Sequence, residues 1–457
     1  MVTATAAGQP AAGSSPHVLP PEARRAEASP TGSRRIRVAL YEPSGRGGVC
    51  HYTYELAEHL ARAGVDVTLI TTEDYELKHL DRHFRLDLLF TRSWLTRLRR
   101  RVSGDGGPAP IGRVRAFGPA AATGQRGYLR RLRIRLLHLR TVAGFLWRRP
   151  DVVHFQWLVS RGQDREFINL LKRLGIPAVY TAHDVEPHTA ASPNDRAELQ
   201  RLYDSVARII VHAESSRREL ESVFSIDSAK ISVIPHGSYD FLFPFEPLTK
   251  EAARDRVGVP RGKKVILFFG LIKRYKGLEY LVEAFEEIRS KLNDAFLLIV
   301  GDVYAGDSED HRYYTQLIDG LRGRDDVMSV ASYVPVESVG QYLSAADVVV
   351  LPYTRTYQSG VLLAAYAAGR PVVVTDTGGL SEVVEDGRSG LVVPPGNAKA
   401  LAGAIGDMLT DSERLNAMGK RAKQLALELY GWDGIASRTM ALYESVVRGV
   451  ASGGRRE

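Results

Sequence analysis

Three basic side chains, Lys273, Arg274 and Lys276, lie within four positions of the segment FFGLIKRYKGLEYL (268–281). The segment starts as an apolar strand and continues as an amphipathic helix, so the cations fall at the carboxyl end of the predicted strand. Lysine and arginine in this position can neutralise phosphate oxygens. The cluster therefore indicates phosphate binding, although a solvated basic loop would have the same composition.

A glycine pair, Gly47 and Gly48, stands between a predicted strand (37–43) and a predicted helix (52–64). Glycine at such a junction lets the backbone approach a ligand closely, and the N-terminus of the following helix favours negative charge. A diphosphate could bind there. A tight turn that requires positive φ would explain the same two glycines equally well.

A second candidate anion site is formed by Gln358, Ser359 and Gly360, which open the predicted helix 361–369. The first N–H groups of a helix have no partner inside the helix and can donate to phosphate oxygens. The alternative is structural, because serine is also a favoured N-cap residue.

Alternating strand and helix patterns surround these loops and predict an α/β fold with parallel sheets. A first series of strands is expected at 37–43, 65–71, 151–158, 176–184, 208–213 and 231–237. A second series is expected at 263–270, 296–302, 327–334, 347–353, 371–376 and 389–395. We expect two doubly wound domains, 36–237 and 261–430, with a linker at 238–260, a ligand cleft between them, and a last helix (431–450) that could cross back to the first domain.

The composition of the 457-residue chain, with 44% hydrophobic and 25% charged residues, is that of a globular protein. No apolar run approaches the roughly eighteen residues that a membrane span needs. Residues 1–35 are rich in Ala, Gly, Pro and Ser and are expected to form a disordered tail. Cys50 is the single cysteine, which excludes an internal disulfide and fits the cytoplasm.

Positive charge is concentrated in residues 91–149, which contain fifteen arginines, no lysine and one acidic residue. Within it, GYLRRLRIRLLHLRTVAGFLW (127–147) alternates arginine with large apolar residues at helical spacing. This pattern favours either attraction to an anionic membrane or a solvated basic helix. The arginines assigned to this contact are Arg130, Arg131, Arg133 and Arg135. No recognised nucleic-acid-binding module accompanies the charge, so no nucleic-acid partner is expected.

Seven segments together resemble the family-four retaining glycosyltransferases in order and spacing. They are GRGGVCHYTYELAEHLARAG, YTAHD, VIPHG, FFGLIKRYKGLEYLVEAF, LLIVGD, AADVVVLPY and GRPVVVTDTGGLSEVVEDGRSGLVVPPGN. The resemblance covers roughly residues 36–450. It implies a GT-B fold, in which two Rossmann-like domains face each other across a cleft. The acceptor is then expected largely on the first domain and the nucleotide-sugar on the second.

The resemblance also implies roles for individual residues. Gly47 and Gly48 match a glycine pair that approaches the donor diphosphate and the transferred sugar, and Lys276 matches a lysine that pairs with that diphosphate. His183 matches an active-site histidine close to the reacting sugar, and Glu382 an acidic position beside the nucleotide-sugar. Structural alternatives are a strand-end histidine that is satisfied by backbone groups and a helix-start carboxylate.

The sequence departs from the family pattern at two places. The arginine that usually follows the glycine matching Gly270 is replaced by Leu271, and Lys273, on the same side of an extended chain, could supply the charge. The family's paired glutamates fall on Thr356 and Ala364. The stretch TYQSGVLLAAYAAG resembles a subset with a QSG-type sequence there, which implies altered donor binding.

No D-x-D triplet and no convincing metal-ligand cluster occurs in the sequence, so no catalytic metal and no cofactor is expected. Protein cations and helix N-termini would neutralise the diphosphate. The resemblance implies transfer with retention by front-face attack, with His183 orienting the sugar and Lys276 facing the diphosphate. The acceptor is expected to be a glycan, and a lipid-linked one if the arginine-rich segment contacts a membrane. A nucleotide-sugar epimerase or a non-catalytic glycan-binding protein is the alternative, favoured by the missing glutamates.

Overall fold

A computed structural model of the protein describes residues 35–90, 125–187, 192–243 and 248–453. The predicted tail (1–35), apart from Arg35, and residues 91–124 of the arginine-rich segment lie outside these ranges. Among the residues that the structure describes, no helix has the length and apolar character needed to cross a membrane.

The first sheet is entirely parallel, as predicted. Its strands within the described ranges are β1 (Arg37–Tyr41), β2 (Asp66–Thr72), β3 (Arg85–Phe90), β4 (Val152–Phe155), β5 (Ala178–Thr181), β6 (Arg208–Val211) and β7 (Ile231–Val233). Their order across the sheet is β3-β2-β1-β4-β5-β6-β7. Every residue of β4 and β5 is buried, because helices cover both faces of the sheet.

The second sheet is also parallel. Its strands in the described part of the chain are β8 (Lys264–Phe269), β9 (Ala295–Val300), β10 (Val327–Val330), β11 (Val348–Leu351), β12 (Val372–Thr375) and β13 (Gly390–Val393). They lie in the order β10-β9-β8-β11-β12-β13. All six correspond to predicted runs, so the expected pair of doubly wound α/β sheets is confirmed.

Helices connect the strands of both sheets. Those of the first lobe are α1 (Gly48–Arg62), α2 (Gln125–Trp147), α3 (Arg161–Arg173), α4 (Pro193–Ser205) and α5 (Glu214–Phe224). Those that follow are α6 (Lys250–Val257), α7 (Leu278–Lys291), α8 (Ser308–Asp319), α9 (Val336–Ala345), α10 (Gly360–Ala367), α11 (Leu380–Val383), α12 (Ala398–Thr410), α13 (Ser412–Glu428) and α14 (Trp432–Gly453).

The order of strands reverses at one place in each sheet, between β1 and β4 and between β8 and β11. Ligands of doubly wound sheets bind beyond the carboxyl ends of the strands at such switch points. The glycine loop follows β1, and the loop with the three cations follows β8. Both predicted phosphate-binding loops are therefore at the position where the topology favours a ligand.

The predicted linker, 238–260, contains a helix as well as extended chain. Its helix α6 packs against α9 of the second lobe. Lys250 and Arg254 of α6 both form ion pairs with Asp347, at 2.7 and 2.5 Å. The second half of the linker is therefore an integral part of the second lobe.

The last helix, α14, packs against α1 and β4 of the first lobe. The Tyr443 hydroxyl lies 2.6 Å from His154 Nδ1 on β4, and Asp433 forms an ion pair with His59 of α1 at 2.8 Å. The helix that follows the second lobe is therefore anchored on the first.

Candidate active site

Glu42, which the sequence analysis did not single out, shapes the glycine loop after β1. Its buried carboxylate accepts hydrogen bonds from the N–H groups of Ser44 (2.9 Å) and Gly45 (3.0 Å). Burial raises the pKa of this carboxyl group, and the hydrogen bonds partly oppose that shift. Gly47 then adopts φ 77° as the N-cap of α1. Residues with a Cβ rarely adopt this backbone conformation, which accounts for a glycine at this position.

Tyr239 contacts both the start of α1 and the start of α10. Its hydroxyl donates to the carbonyl of Gly48 at 3.4 Å. A Cβ on Gly360 would lie within about 3 Å of the Tyr239 ring, so only glycine fits there without a shift. Two helix N-termini, one from each lobe, therefore lie against the same aromatic ring. The first N–H groups of a helix have no partner within that helix, and the dipole is positive at this end, which suits the binding of an anion.

Lys276 is held beside this convergence by Tyr353. Its Nζ donates to the Tyr353 hydroxyl at 2.6 Å and lies 3.9 Å from the centre of that ring. Burial disfavours the charge on Lys276, but Tyr353, Tyr275 and Asp184 outweigh burial and raise its pKa. The Tyr353 hydroxyl is also 3.4 Å from Ser359 Oγ, at the start of α10. The ammonium group is therefore charged and fixed close to the α10 N-terminus.

The other two cations of the loop have different surroundings. Lys273 Nζ lies 4.2 Å from the centre of the Tyr304 ring, and burial lowers its pKa while Asp184 opposes that shift. Arg274 is exposed and forms an ion pair with Asp310 at 2.6 Å. Asp184 therefore favours the charged form of both Lys273 and Lys276. The guanidinium of Arg274 is instead paired with Asp310 on α8. Phosphate binding by Arg274 stays a prediction.

The segment that leads into α10, together with the first half of that helix, lacks the family's carboxylates, as the sequence indicated. Thr356 and Ala364, which replace them, are both buried, and the Thr356 hydroxyl donates to the Gln358 carbonyl at 2.9 Å. The side-chain Oε1 of Gln358 is buried and has no hydrogen-bond partner among the described residues. An amide oxygen in that state can accept a hydrogen bond from a hydroxyl group. Ser359 occupies the N-cap position of α10, as the structural alternative expected, but its side chain makes no capping hydrogen bond.

His183 is the second residue after β5, at the carboxyl edge of the first sheet. Its Nδ1 lies 3.2 Å from Nε2 of His212, and its own Nε2 is buried without a partner in the described part of the chain. Burial, reinforced by the neighbouring His212, lowers the pKa of His183 well below its usual value. The imidazole is therefore neutral at pH 7. The next residue, Asp184, acts on Lys273 and Lys276, which places this strand end opposite the cations.

Glu382 contacts the first lobe. Its two carboxylate oxygens accept hydrogen bonds from the N–H groups of Glu214 and Ser215, both at 2.7 Å. These N–H groups belong to the first turn of α5, where a negative charge is stabilised by the helix dipole. Glu382 thus links the lobes, and its predicted contact with the donor stays a prediction.

A second set of contacts between the lobes surrounds Tyr357. Its hydroxyl accepts from the Glu186 N–H at 3.1 Å and lies 2.9 Å from the Glu219 carboxylate, to which it donates. Arg355 lies 3.4 Å from the Glu186 carboxylate and 3.7 Å from that of Glu219. The structure therefore represents a conformation in which the two lobes are in direct contact.

We expect Glu382→Gln to weaken the contact between Glu382 and the first turn of α5. The amide keeps the size of the side chain but loses the charge that faces this helix N-terminus. The cost should be about 1 kcal/mol, the typical contribution of a carboxylate at a helix N-terminus. Thermal unfolding would measure it, with Glu283→Gln as the control because Glu283 is exposed in the middle of α7, away from either helix end. An unchanged midpoint together with a raised KM for the donor would assign Glu382 to donor binding instead.

Comparisons with known proteins place the chain in a family. The model described as "Glycosyltransferase Family 4" matches residues 46–238, and that described as "Glycosyl transferases group 1" matches residues 263–411. A D-inositol 3-phosphate glycosyltransferase of Kineococcus radiotolerans is 30% identical over 440 residues, which are 88% of this chain and 91% of that protein. The corresponding protein of an Arthrobacter species is 31% identical over 65% of this chain and 71% of the relative.

This chain is a family-four glycosyltransferase. Solved structures support the fold of this glycosyltransferase. Sucrose-phosphate synthase from Thermosynechococcus elongatus has a TM-score of 0.70 and 23% identity, over 91% of this chain and all of that one. HepE from Anabaena, in complex with UDP-glucose, has a TM-score of 0.69 and 18% identity, over 90% of this chain and all of that one. The predicted GT-B fold is thereby confirmed.

Proposed function

We propose that this glycosyltransferase transfers a hexose from a nucleotide-sugar donor to a hydroxyl acceptor, with retention of anomeric configuration and without a catalytic metal. The observation that carries the proposal is the convergence of the α1 and α10 N-termini at Tyr239, with Lys276 fixed alongside. This arrangement suits a diphosphate. The UDP and UDP-glucose in the Anabaena HepE structures support a donor of this class.

In the proposed reaction, the bond between the anomeric carbon and the diphosphate oxygen breaks while the acceptor oxygen bonds to that carbon on the same face. The acceptor proton passes to an oxygen of the departing diphosphate. Lys276 and the helix N-termini stabilise the charge that develops on the leaving group. His183 is neutral and orients a sugar hydroxyl rather than supplying charge.

We propose that protein groups rather than a metal neutralise the diphosphate, because Lys276 is fixed beside the α10 N-terminus and Lys273 lies three residues before it in the same loop. The described residues include no cluster of His, Cys, Asp and Glu side chains suited to a metal. We therefore expect full activity after chelation. The measurement is hydrolysis or transfer from a panel of nucleotide-sugars, with and without EDTA. Loss of activity that Mn²⁺ restores would contradict a metal-independent reaction.

For the acceptor side we propose a lipid-linked glycan at an anionic membrane, contacted through helix α2. Its outer face carries a run of exposed large apolar side chains. They are Leu132 (42% exposed), Leu136 (57%), Leu139 (56%), Leu146 (78%) and Trp147 (93%). Arg131, Arg135, Arg140 and Arg148 are exposed on the same segment. The side chains of Arg130 and Arg133 lie outside the described residues.

Apolar and basic residues on one exposed helix suit the surface of an anionic bilayer, where both contribute to binding. A helix that contacts only water would not be expected to expose a tryptophan and four leucines on one face, because a large exposed apolar patch marks an interaction site. This observation favours membrane contact over the solvated basic helix, the alternative for this segment. The proposed location is the inner face of the membrane, where assembly of a cell-surface glycan would begin.

A non-transferase function stays as a second candidate because Thr356 and Ala364 leave the donor pocket without the family's carboxylates. A nucleotide-sugar epimerase would convert the sugar of the donor without any acceptor. A glycan-binding protein would be stabilised by glycan but would leave every nucleotide-sugar intact. The assay with the panel of nucleotide-sugars separates these candidates. Of the three, only a transferase releases the free nucleoside diphosphate, either by transfer or by slow hydrolysis of the donor.

A further inference from the structure

The first lobe has a cluster of four histidines near the carboxyl ends of strands β4 to β7. They are His154, His183, His212 and His236. The ring centres of His183 and His212 are 5.0 Å apart, and those of His212 and His236 are 5.2 Å apart. Burial lowers the pKa of His212 to about 4 and those of His154 and His236 to about 3. All four rings are therefore neutral at pH 7, and each carries a single N–H.

The position of that single N–H can be assigned for His212 and His183. Nδ1 of His212 lies 2.9 Å from the carbonyl oxygen of Ile234, which can only accept, so Nδ1 carries the proton. Nε2 of His212 is then unprotonated and must accept from Nδ1 of His183, 3.2 Å away. His183 consequently carries its proton on Nδ1. Its Nε2 is an unprotonated, buried atom without a partner among the described residues.

We propose that His212 is a positioning residue that fixes the tautomer of His183, so that His183 Nε2 accepts a hydrogen bond from a hydroxyl of the reacting sugar. The inference rests on the proposed function, in which His183 orients that sugar. The sequence analysis assigned no role to His212. Only the contact between residues that are 29 positions apart reveals its role.

The tautomer has a consequence for specificity. An acceptor nitrogen binds a hydroxyl group and cannot bind a carbonyl or ether oxygen in the same place. A buried acceptor left without its hydroxyl is costly, so sites of this kind reject analogues that lack the group strongly. We therefore expect a deoxy donor that lacks the contacted hydroxyl to react far more slowly than the parent sugar.

Two substitutions at position 212 distinguish this role from simple packing. Phenylalanine in His212→Phe fills the ring space but has no acceptor for His183. Glutamine in His212→Gln can donate from its amide nitrogen to the Ile234 carbonyl and accept from His183 at its amide oxygen. His236→Phe is the matched control, because His236 donates to the Gly237 carbonyl and is not hydrogen-bonded to His183.

The first measurement is ¹⁵N NMR of the full-length enzyme labelled at histidine and free of ligand. Wild type and His212→Gln should show His183 protonated at Nδ1, and His212→Phe should lose that state. The second is steady-state kinetics with the donor identified by the panel assay. We expect His212→Phe to lower kcat about 10- to 100-fold, with His212→Gln recovering most of the activity and His236→Phe close to wild type.

A wild-type His183 protonated at Nε2 would overturn the inference, as would a kcat of His212→Phe equal to that of His236→Phe. If His212→Phe changes the tautomer but leaves the kinetics untouched, the proposed contact of His183 with the sugar is wrong and the assigned tautomer stands. The NMR result does not depend on turnover. The two failures can therefore be told apart.

Discussion

Replacing Lys276 with methionine will lower turnover of the nucleotide-sugar by roughly two to three orders of magnitude, the typical loss when one charge-stabilising group is removed from an active site. The ammonium group is fixed by the Tyr353 hydroxyl at 2.6 Å, beside the N-terminus of α10. It is therefore already in place when charge develops on the leaving diphosphate. Methionine keeps an unbranched side chain of similar size but removes the charge and the hydrogen bond to the Tyr353 hydroxyl.

The change should appear mainly in kcat, because the interaction strengthens as the bond to the diphosphate breaks. Lys291→Met is the control, since Lys291 is an exposed lysine of the same lobe that pairs with Glu287. Thermal unfolding of both variants should stay close to wild type. If Lys276→Met retains wild-type kcat and KM, the assignment of Lys276 to the diphosphate is wrong.

The second large effect is expected at the membrane. Changing Arg130, Arg131, Arg133 and Arg135 to Gln should lower binding to anionic vesicles roughly tenfold to a hundredfold at low salt. Each basic residue near such a surface contributes about 1 kcal/mol before screening, and part of that is lost to the ions present. Arg135 also pairs with exposed Glu166, but an exposed pair of this kind contributes little to stability.

A second variant tests the apolar side chains of the same face, with Leu136, Leu139 and Leu146 changed to Gln. Binding that persists at high salt should fall in this variant, because apolar insertion is not screened by ions. The control removes the same charge elsewhere, at four exposed arginines of the second lobe. These are Arg256, Arg322, Arg388 and Arg414. Equal co-sedimentation of wild type and all variants, or no preference for anionic over neutral vesicles, would refute the membrane contact and favour a soluble acceptor.

Most strands of both sheets could be predicted because their buried residues are continuous β-branched or aliphatic runs. The exception is β3, Arg85–Phe90, which the pattern did not reveal. Its sequence, RLDLLF, includes two charged residues in six and lies at the edge of the sheet, where only one neighbour, β2, pairs with it. An edge strand needs less apolar surface than a central one, so its periodicity is weak.

The site could be predicted only where a residue lies in a local motif. Gly47 and Lys276 belong to strand-loop-helix segments whose spacing is visible in the sequence. Other residues of the site act through contacts between distant parts of the chain, and the residues next to them in sequence do not indicate these contacts. They are Tyr239, Tyr353 and His212. Their positions follow from the packing of whole elements, which the sequence pattern does not specify.

In the part of the chain that the structure describes, the backbone passes between the lobes twice, near Ser238 and near Tyr430, and the two passages lie side by side. The Ser238 N–H donates to the Tyr430 carbonyl at 2.9 Å, and the Trp432 indole N–H donates to the Ser238 carbonyl at 2.7 Å. A Cβ on Gly237 would overlap the Trp432 ring, so the two connecting segments are in close contact. We expect the two passages to move together as one hinge, so that opening of the cleft is a rotation about one short axis. A truncation before Trp432 should then leave the lobes joined by a single passage and free to move in more directions.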